Sequence, residues 1–365
     1  MKTFAIKNIL FGVLLSLIPF NMKLFIPFTL IVLILFSDGY QQSYLIKKWP
    51  TYAIYFLCTF LLIIDIYRLL NNYELNLELI FIPIIMLVTL HIKLSEQFFV
   101  GLARYTSALF FVNFLFNLYT VITGNDLFGR VVDFRENDIL MRFGGIYGHA
   151  YLNNAVNIMG FICAYYFKNR FLLILAFLSL LFSGSLREPI SACIIVLCFF
   201  CLKFNLSKFL KMFVLLAAVS SIFFITILVS NYNYLEENSN TLRVHAWVNA
   251  LDVIEDKTLF GKSHSNSYDK DSYKMDIPLR ETLINNGVAE SQYLQYGLHF
   301  GILFPFIIFF YLYNLIRSPS QLTSHIERVR EMAVLIVFSD TFYGSLLSTS
   351  SFSIFACLIF ASVRS

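Results

Sequence analysis

The residues best suited to chemistry in this chain are a few arginines, one glutamate and one histidine set between apolar runs. Arg187 stands in Ser183-Gly184-Ser185-Leu186-Arg187-Glu188-Pro189, a tight turn between two such runs, with Pro189 suited to the first turn of the next helix. Guanidinium presents its donors in a fixed fork that matches phosphate, so an arginine held at such a turn is a candidate anion ligand. The alternative is a turn arginine paired with Glu188 or with a lipid head group. Arg243 is followed by His245 and Trp247. An aromatic one turn from an arginine supports a sugar or stacks on the guanidinium, while the plainer reading is an interfacial Trp beside a solvated charge. Glu290 lies in Val288-Ala289-Glu290-Ser291-Gln292-Tyr293-Leu294, where a polar segment gives way to an apolar one. A partly desolvated carboxylate there is a reasonable general base. His149 closes Gly144-Gly145-Ile146-Tyr147-Gly148-His149, with Arg142 just before it as a further phosphate ligand. A lone histidine of this kind is more often a structural hydrogen-bonding group than a catalyst. No His/Cys/Asp cluster has metal spacing, and no Walker or dinucleotide fingerprint is present, so neither a metal nor a nucleotide cofactor is expected.

These groups have to be positioned by elements that live in lipid. The 365 residues are 58% hydrophobic and only 14% charged, with a mean hydropathy of +0.71. A soluble domain carries roughly a quarter of its residues as charges, so soluble enzymes, nucleic-acid binders and disordered chains are excluded. Apolar runs fall near residues 4–20, 24–37, 51–70, 78–92, 105–123, 147–167, 171–185, 189–203, 210–230, 292–316, 332–347 and 350–363. The expected fold is an all-α polytopic membrane protein with about 10–12 transmembrane helices in a single integral membrane domain over 1–365. Lys2 and Lys7 precede the first run, but no small-residue cleavage site follows it, so it reads as an uncleaved span. The six cysteines lie inside apolar runs and read as small core hydrophobes.

Charge sets the orientation. With the N-terminus inside and twelve spans, the inside segments carry 15 basic against four acidic residues and the outside segments 12 against 17. By the positive-inside rule both termini are therefore expected in the cytoplasm. The chemistry-bearing residues then gather at the outer face. One outside segment, 231–286, is far longer than the rest, and long segments in compact proteins are usually functional or disordered. Within it, Ala246, Trp247, Ala250, Leu251 and Ile254 recur at helical spacing, which predicts a short amphipathic helix against the membrane or the bundle.

Taken together and in order, these pieces resemble the bacterial O-antigen polymerases, the Wzy-type family related to O-antigen ligases. The resemblance rests on Arg142 with Gly144-Gly145-Ile146-Tyr147-Gly148-His149 and Asn153, on Ser185-Leu186-Arg187, on Arg243 with Trp247, Ala250, Leu251 and Leu259-Phe260-Gly261, and on Glu290-Ser291-Gln292-Tyr293-Leu294 before Gly297 and Gly301. It covers residues 140–316 with any specificity. The chain departs from the pattern at Gly261-Lys262-Ser263, where the family often has a second glycine. Ligases tend to carry a histidine where this chain has Glu290, which favours polymerase.

The resemblance implies a lipid-diphosphate-dependent glycosyltransferase in the bacterial inner membrane, with 231–286 as a periplasmic loop. It would polymerise undecaprenyl-diphosphate-linked oligosaccharide units at the periplasmic face. Arg187 and Arg243 would clamp the donor diphosphate with Arg142 assisting, and Glu290 would deprotonate the attacking sugar hydroxyl. His149, His245, Trp247 and Tyr293 complete the substrate-binding candidates. Membrane lipid, a chain-length regulator and a flippase are the expected partners, with no nucleic acid. The rival readings are an O-antigen ligase, a capsule or exopolysaccharide polymerase, and, from another class, a flippase or transporter. Transporters place ionisable groups near the bilayer midplane and often show internal repeats. This chain offers only Asp65 and Asp340 within its spans, Asp65 one turn from Arg68, and no repeat.

Overall fold

The computed structural model describes residues 2–37, 49–70, 77–92, 94–125, 143–148, 150–182, 187–204, 206–215 and 324–343, with isolated positions at 217, 251, 294, 297, 301, 310–313 and 315. Among the described residues the chain is helical, with isolated bridge residues at Ile92 and Leu94 and no strand. The helices are α1 (Lys2–Leu17), α2 (Met22–Phe36), α3 (Trp49–Leu70), α4 (Leu77–His91), α5 (Glu96–Thr123), α6 (Ala150–Tyr166), α7 (Arg170–Phe182), α8 (Arg187–Lys203) and α9 (Ser324–Tyr343), besides a helical stretch at 208–215.

Local signals in the sequence set several of these boundaries. Asn21 caps α2, its Oδ1 accepting from the Leu24 N–H at 3.2 Å. Ser95 does the same for α5 through Phe98, and Gly124, left-handed at φ 69°, closes that helix with its N–H on the Thr120 carbonyl at 2.9 Å. Asn169 caps α7 by accepting from the Leu172 N–H at 3.2 Å.

Two helices are longer than the apolar runs that announced them. The run at 105–123 becomes a helix from Glu96, and the run at 332–347 becomes one from Ser324. Hydropathy misses these first turns because they are charged. In α9 the charges are compensated: Glu331 Oε1 meets Lys211 Nζ at 2.6 Å with both side chains buried, and Glu327 meets Lys208 at 3.6 Å. Arg330, 2% exposed, donates from Nη2 to the Leu315 carbonyl at 2.9 Å.

α5, with its 28 residues, is the one described helix long and apolar enough to cross a membrane, by length and composition. Shorter apolar helical stretches lie at Asn8–Phe20, Leu24–Leu35, Cys58–Tyr67 and Arg170–Leu180. Around them the outward faces are apolar too: Leu35, Phe56, Leu70, Ile122 and Phe171 are all mostly exposed. An apolar exterior of this extent is what a helical membrane protein presents to lipid. Of the cysteines, Cys58, Cys163, Cys198 and Cys201 are buried thiols as expected. Cys193 departs from that expectation, since it sits on the exposed side of α8, and Cys357 lies outside the described residues.

Helix directions follow from the contacts. α1 runs parallel to α5, with Phe11 on Phe98 and the Ser16 hydroxyl 2.8 Å from that of Tyr105. α6 runs antiparallel to α5, with Tyr166 on Phe99 at one end and Asn153 against Asn113 and Asn117 nearer the other. Gly160 makes this approach possible, since a Cβ there would come within 2.3 Å of the Phe110 ring. α6 and α7 are joined by the short turn Phe167–Asn169, and α7 packs on both α6 and α8. The bundle therefore has two distinct ends. At one, α1 and α5 finish and α6 and α8 begin. At the other lie Lys168, Arg170, Lys203, Lys208, Lys211, Arg328 and Arg330 with Glu96, Glu327 and Glu331.

Candidate functional site

The first of these ends is built around a ladder of buried asparagines. Asn113 and Asn117 are one turn apart on α5, Asn153 and Asn157 one turn apart on α6, and the two pairs face each other. Asn113 donates from Nδ2 to Asn153 Oδ1 at 2.7 Å and to Asn157 Oδ1 at 3.2 Å, and Asn117 donates to Asn153 Oδ1 at 2.8 Å. In an apolar bundle such amide bonds are worth about 1 kcal/mol each, because the alternative is a polar group facing hydrocarbon.

The ladder does more than join two helices. Asn113 Oδ1 accepts the Ile146 N–H at 3.0 Å, and Asn153 Nδ2 donates to the Phe143 carbonyl at 3.1 Å. Both bonds reach into the segment that enters α6 and fold Gly145–Tyr147 into a 3₁₀ turn against the bundle. Gly145 sits at φ +56° with its α-carbon pressed on the ladder: a Cβ there would lie 2.1 Å from Asn113 Oδ1. Only glycine adopts that backbone without strain and leaves that space. Tyr147 fixes the turn from its far side, its hydroxyl donating to the Ser16 carbonyl of α1 at 3.0 Å. Gly148, also left-handed, turns the chain toward α6.

Residues 143–148 are thus held from three helices, and Arg142 and His149 are the chain neighbours on either side. Their own positions lie outside the described residues. Arg187 is the first residue of α8, with Pro189 in the first turn as the sequence suggested, although its side chain is outside the described residues. Since α6 and α8 are both antiparallel neighbours of α7, the Arg187 backbone and the Gly145–Gly148 turn belong to the same end of the bundle. A cation at a helix N-terminus is electrostatically disfavoured by about 0.3–1 kcal/mol. The same terminus with an arginine attached is well suited to an anion.

Arg243, His245, Trp247, Glu290 and Tyr293 lie outside the described residues, as does all of the 231–286 segment apart from Leu251, which is helical and exposed. The expectation of a helix within 241–254 therefore falls almost entirely outside them. Among the described residues no group of three or more His, Cys, Asp or Glu has the placement to hold a metal ion. The ladder residues Asn113, Asn117 and Asn157 are further candidates, uncharged residues whose amides hold the segment between Arg142 and His149 in place. Their signal was an amide pair at i, i+4 within two otherwise apolar helices.

Residues 171–309 match a family model described as O-antigen ligase. The matched stretch takes in Arg187, Arg243, His245, Trp247, Glu290 and Tyr293, and it supports the resemblance to the O-antigen polymerase and ligase family. Arg142, His149 and the asparagine ladder precede it. No curated protein matches the chain.

Proposed function

From that family match as premise, we propose that the chain is an O-antigen polymerase, a membrane glycosyltransferase that extends lipid-linked oligosaccharide on the periplasmic side of the inner membrane. The observation that carries the proposal is that the stretch matched by the family model contains the three residues assigned to catalysis, Arg187, Arg243 and Glu290. In the proposed reaction a sugar hydroxyl of the acceptor repeat unit attacks the anomeric carbon of the donor chain. The anomeric C–O bond to undecaprenyl diphosphate breaks, the diphosphate leaves with the bonding pair, and Glu290 takes the hydroxyl proton. Charge developing on the leaving diphosphate is stabilised by Arg187, placed where α8 begins, and by Arg243, with Arg142 assisting. The lipid diphosphate supplies the driving force, so a nucleotide is not needed. Loop 231–286 would close over the sugars, with His149, His245, Trp247 and Tyr293 as sugar or phosphate contacts.

The orientation assumed is the one read from charge, and the concentration of cations at the end opposite the ladder supports it. Lipopolysaccharide from a deletion strain tests the proposal. Loss of the ladder with a single repeat unit retained on the core is the expected pattern. A second reading, O-antigen ligase, is favoured by the description of the matched family itself. A bare core with lipid-linked polymer accumulating would select it instead.

A further inference from the structure

At the basic end a cleft of about 440 Å³ opens between α6, α8 and α9, lined by Tyr165, Val196, Phe199, Phe200, Lys203 and Arg328 among others. Its floor is aromatic: Phe199 packs edge-on against Tyr165, with ring centroids 4.9 Å apart, and against Phe161. Its mouth faces outward, since Val196 and Phe200 are more than half exposed on the same face of α8. At its rim stand two exposed cations, Lys203 in the last turn of α8 and Arg328 near the start of α9.

The charge balance there is uneven. The neighbouring carboxylates are already engaged, Glu327 with Lys208 and Glu331 with Lys211. Arg330 is buried and turned to the Leu315 carbonyl. Among the described residues no carboxylate lies within ion-pair distance of Lys203 or Arg328. Two unpaired cations above an outward-facing aromatic groove match a molecule with an anionic head and a hydrocarbon tail. A cation arising only from the general bias of one membrane face would need no groove beneath it.

We propose that this cleft is a binding site for one anionic glycerophospholipid, with the phosphate between Lys203 and Arg328 and an acyl chain along Val196 and Phe200. Basic pockets between membrane helices recognise lipid head groups in this way. The site rests on the membrane reading of the chain given above and is independent of the polymerase chemistry. On the orientation assumed there, the lipid belongs to the cytoplasmic leaflet.

Direct binding tests it without reference to polymer synthesis. Purified full-length protein in neutral detergent is titrated with phosphatidylglycerol or phosphatidylcholine, and bound lipids are counted by native mass spectrometry. The expected result is a first phosphatidylglycerol bound at least tenfold more tightly than phosphatidylcholine. That preference should vanish in Lys203→Gln/Arg328→Gln and persist in Arg170→Gln, which removes a cation from the same end outside the cleft. Equal affinity for the two lipids, an unchanged preference in the double variant, or an equal loss in Arg170→Gln would overturn the proposal. Should the double variant not fold, Phe200→Trp keeps both cations. The emission it adds over the parent protein, which already carries Trp49 and Trp247, should be quenched more by brominated phosphatidylglycerol than by brominated phosphatidylcholine, and equal quenching of that added emission would be fatal to the proposal.

Discussion

Asn113 uses both amide donors on two α6 asparagines and its Oδ1 on the Ile146 N–H, all inside the bundle. Replacing it by Ala leaves Asn153, Asn157 and the Ile146 N–H short of partners at once. The expected effect is a loss of about 1–3 kcal/mol in stability and a marked fall in polymer, because the turn next to Arg142 and His149 loses its seat. O-antigen gels paired with the amount of protein in membranes measure both. Gly145→Ala is expected to be as harmful to activity, since it adds about 1–2 kcal/mol of left-handed backbone strain and a methyl where Asn113 already is. At Arg187 the expectation is different in kind. Arg187→Ala, Arg243→Ala and Glu290→Ala should each abolish polymer while the protein still inserts, and Arg187→Lys should rescue poorly if the guanidinium fork is what holds the diphosphate. Normal chain length in any one of these strains removes that residue from the mechanism.

Among the elements, α5 and α6 make the most of small and polar residues. Gly160→Leu would drive a side chain into Phe110 and is expected to lower stability by about 1–3 kcal/mol, read as a reduced melting temperature in detergent, with the Gly145–Tyr147 turn displaced as a consequence. This scale also shows where sequence reading succeeds and where it stops. The apolar runs located α1 to α4 and α6 to α8 to within a few residues, because a helix that is apolar on most of its faces leaves its mark along its whole length. The first turns of α5 and α9 escaped them, and in α9 the reason is that a charged residue with a partner looks the same in sequence as one in water. Glu331 is the clear instance: its partner Lys211 is 120 positions away. The asparagine ladder was hidden for a related reason. Only Asn153 stood in a recognisable motif, and its neighbours acquire meaning once two helices face each other. The charged candidates, by contrast, were legible as residue types, while the positions of Arg243 and Glu290 lie outside the described residues.

For the whole molecule, the two ends of the bundle differ in chemistry, with a neutral amide lattice at the end where the reaction is proposed and, at the other, a set of charges of which Lys208–Glu327 and Lys211–Glu331 are paired. The buried Lys211–Glu331 pair ties the middle of the chain to α9. Removing one partner by Glu331→Ala strands a buried ammonium and is expected to cost about 3–5 kcal/mol, whereas Lys211→Met with Glu331→Leu should be far milder. A double-mutant cycle on thermal stability decides between them. The pair also bears on how the protein is made. Lys211 is synthesised 120 residues before Glu331, so the helical stretch at 208–215 is expected to gain its buried counter-charge, and with it its seat in the bundle, only once α9 has been made.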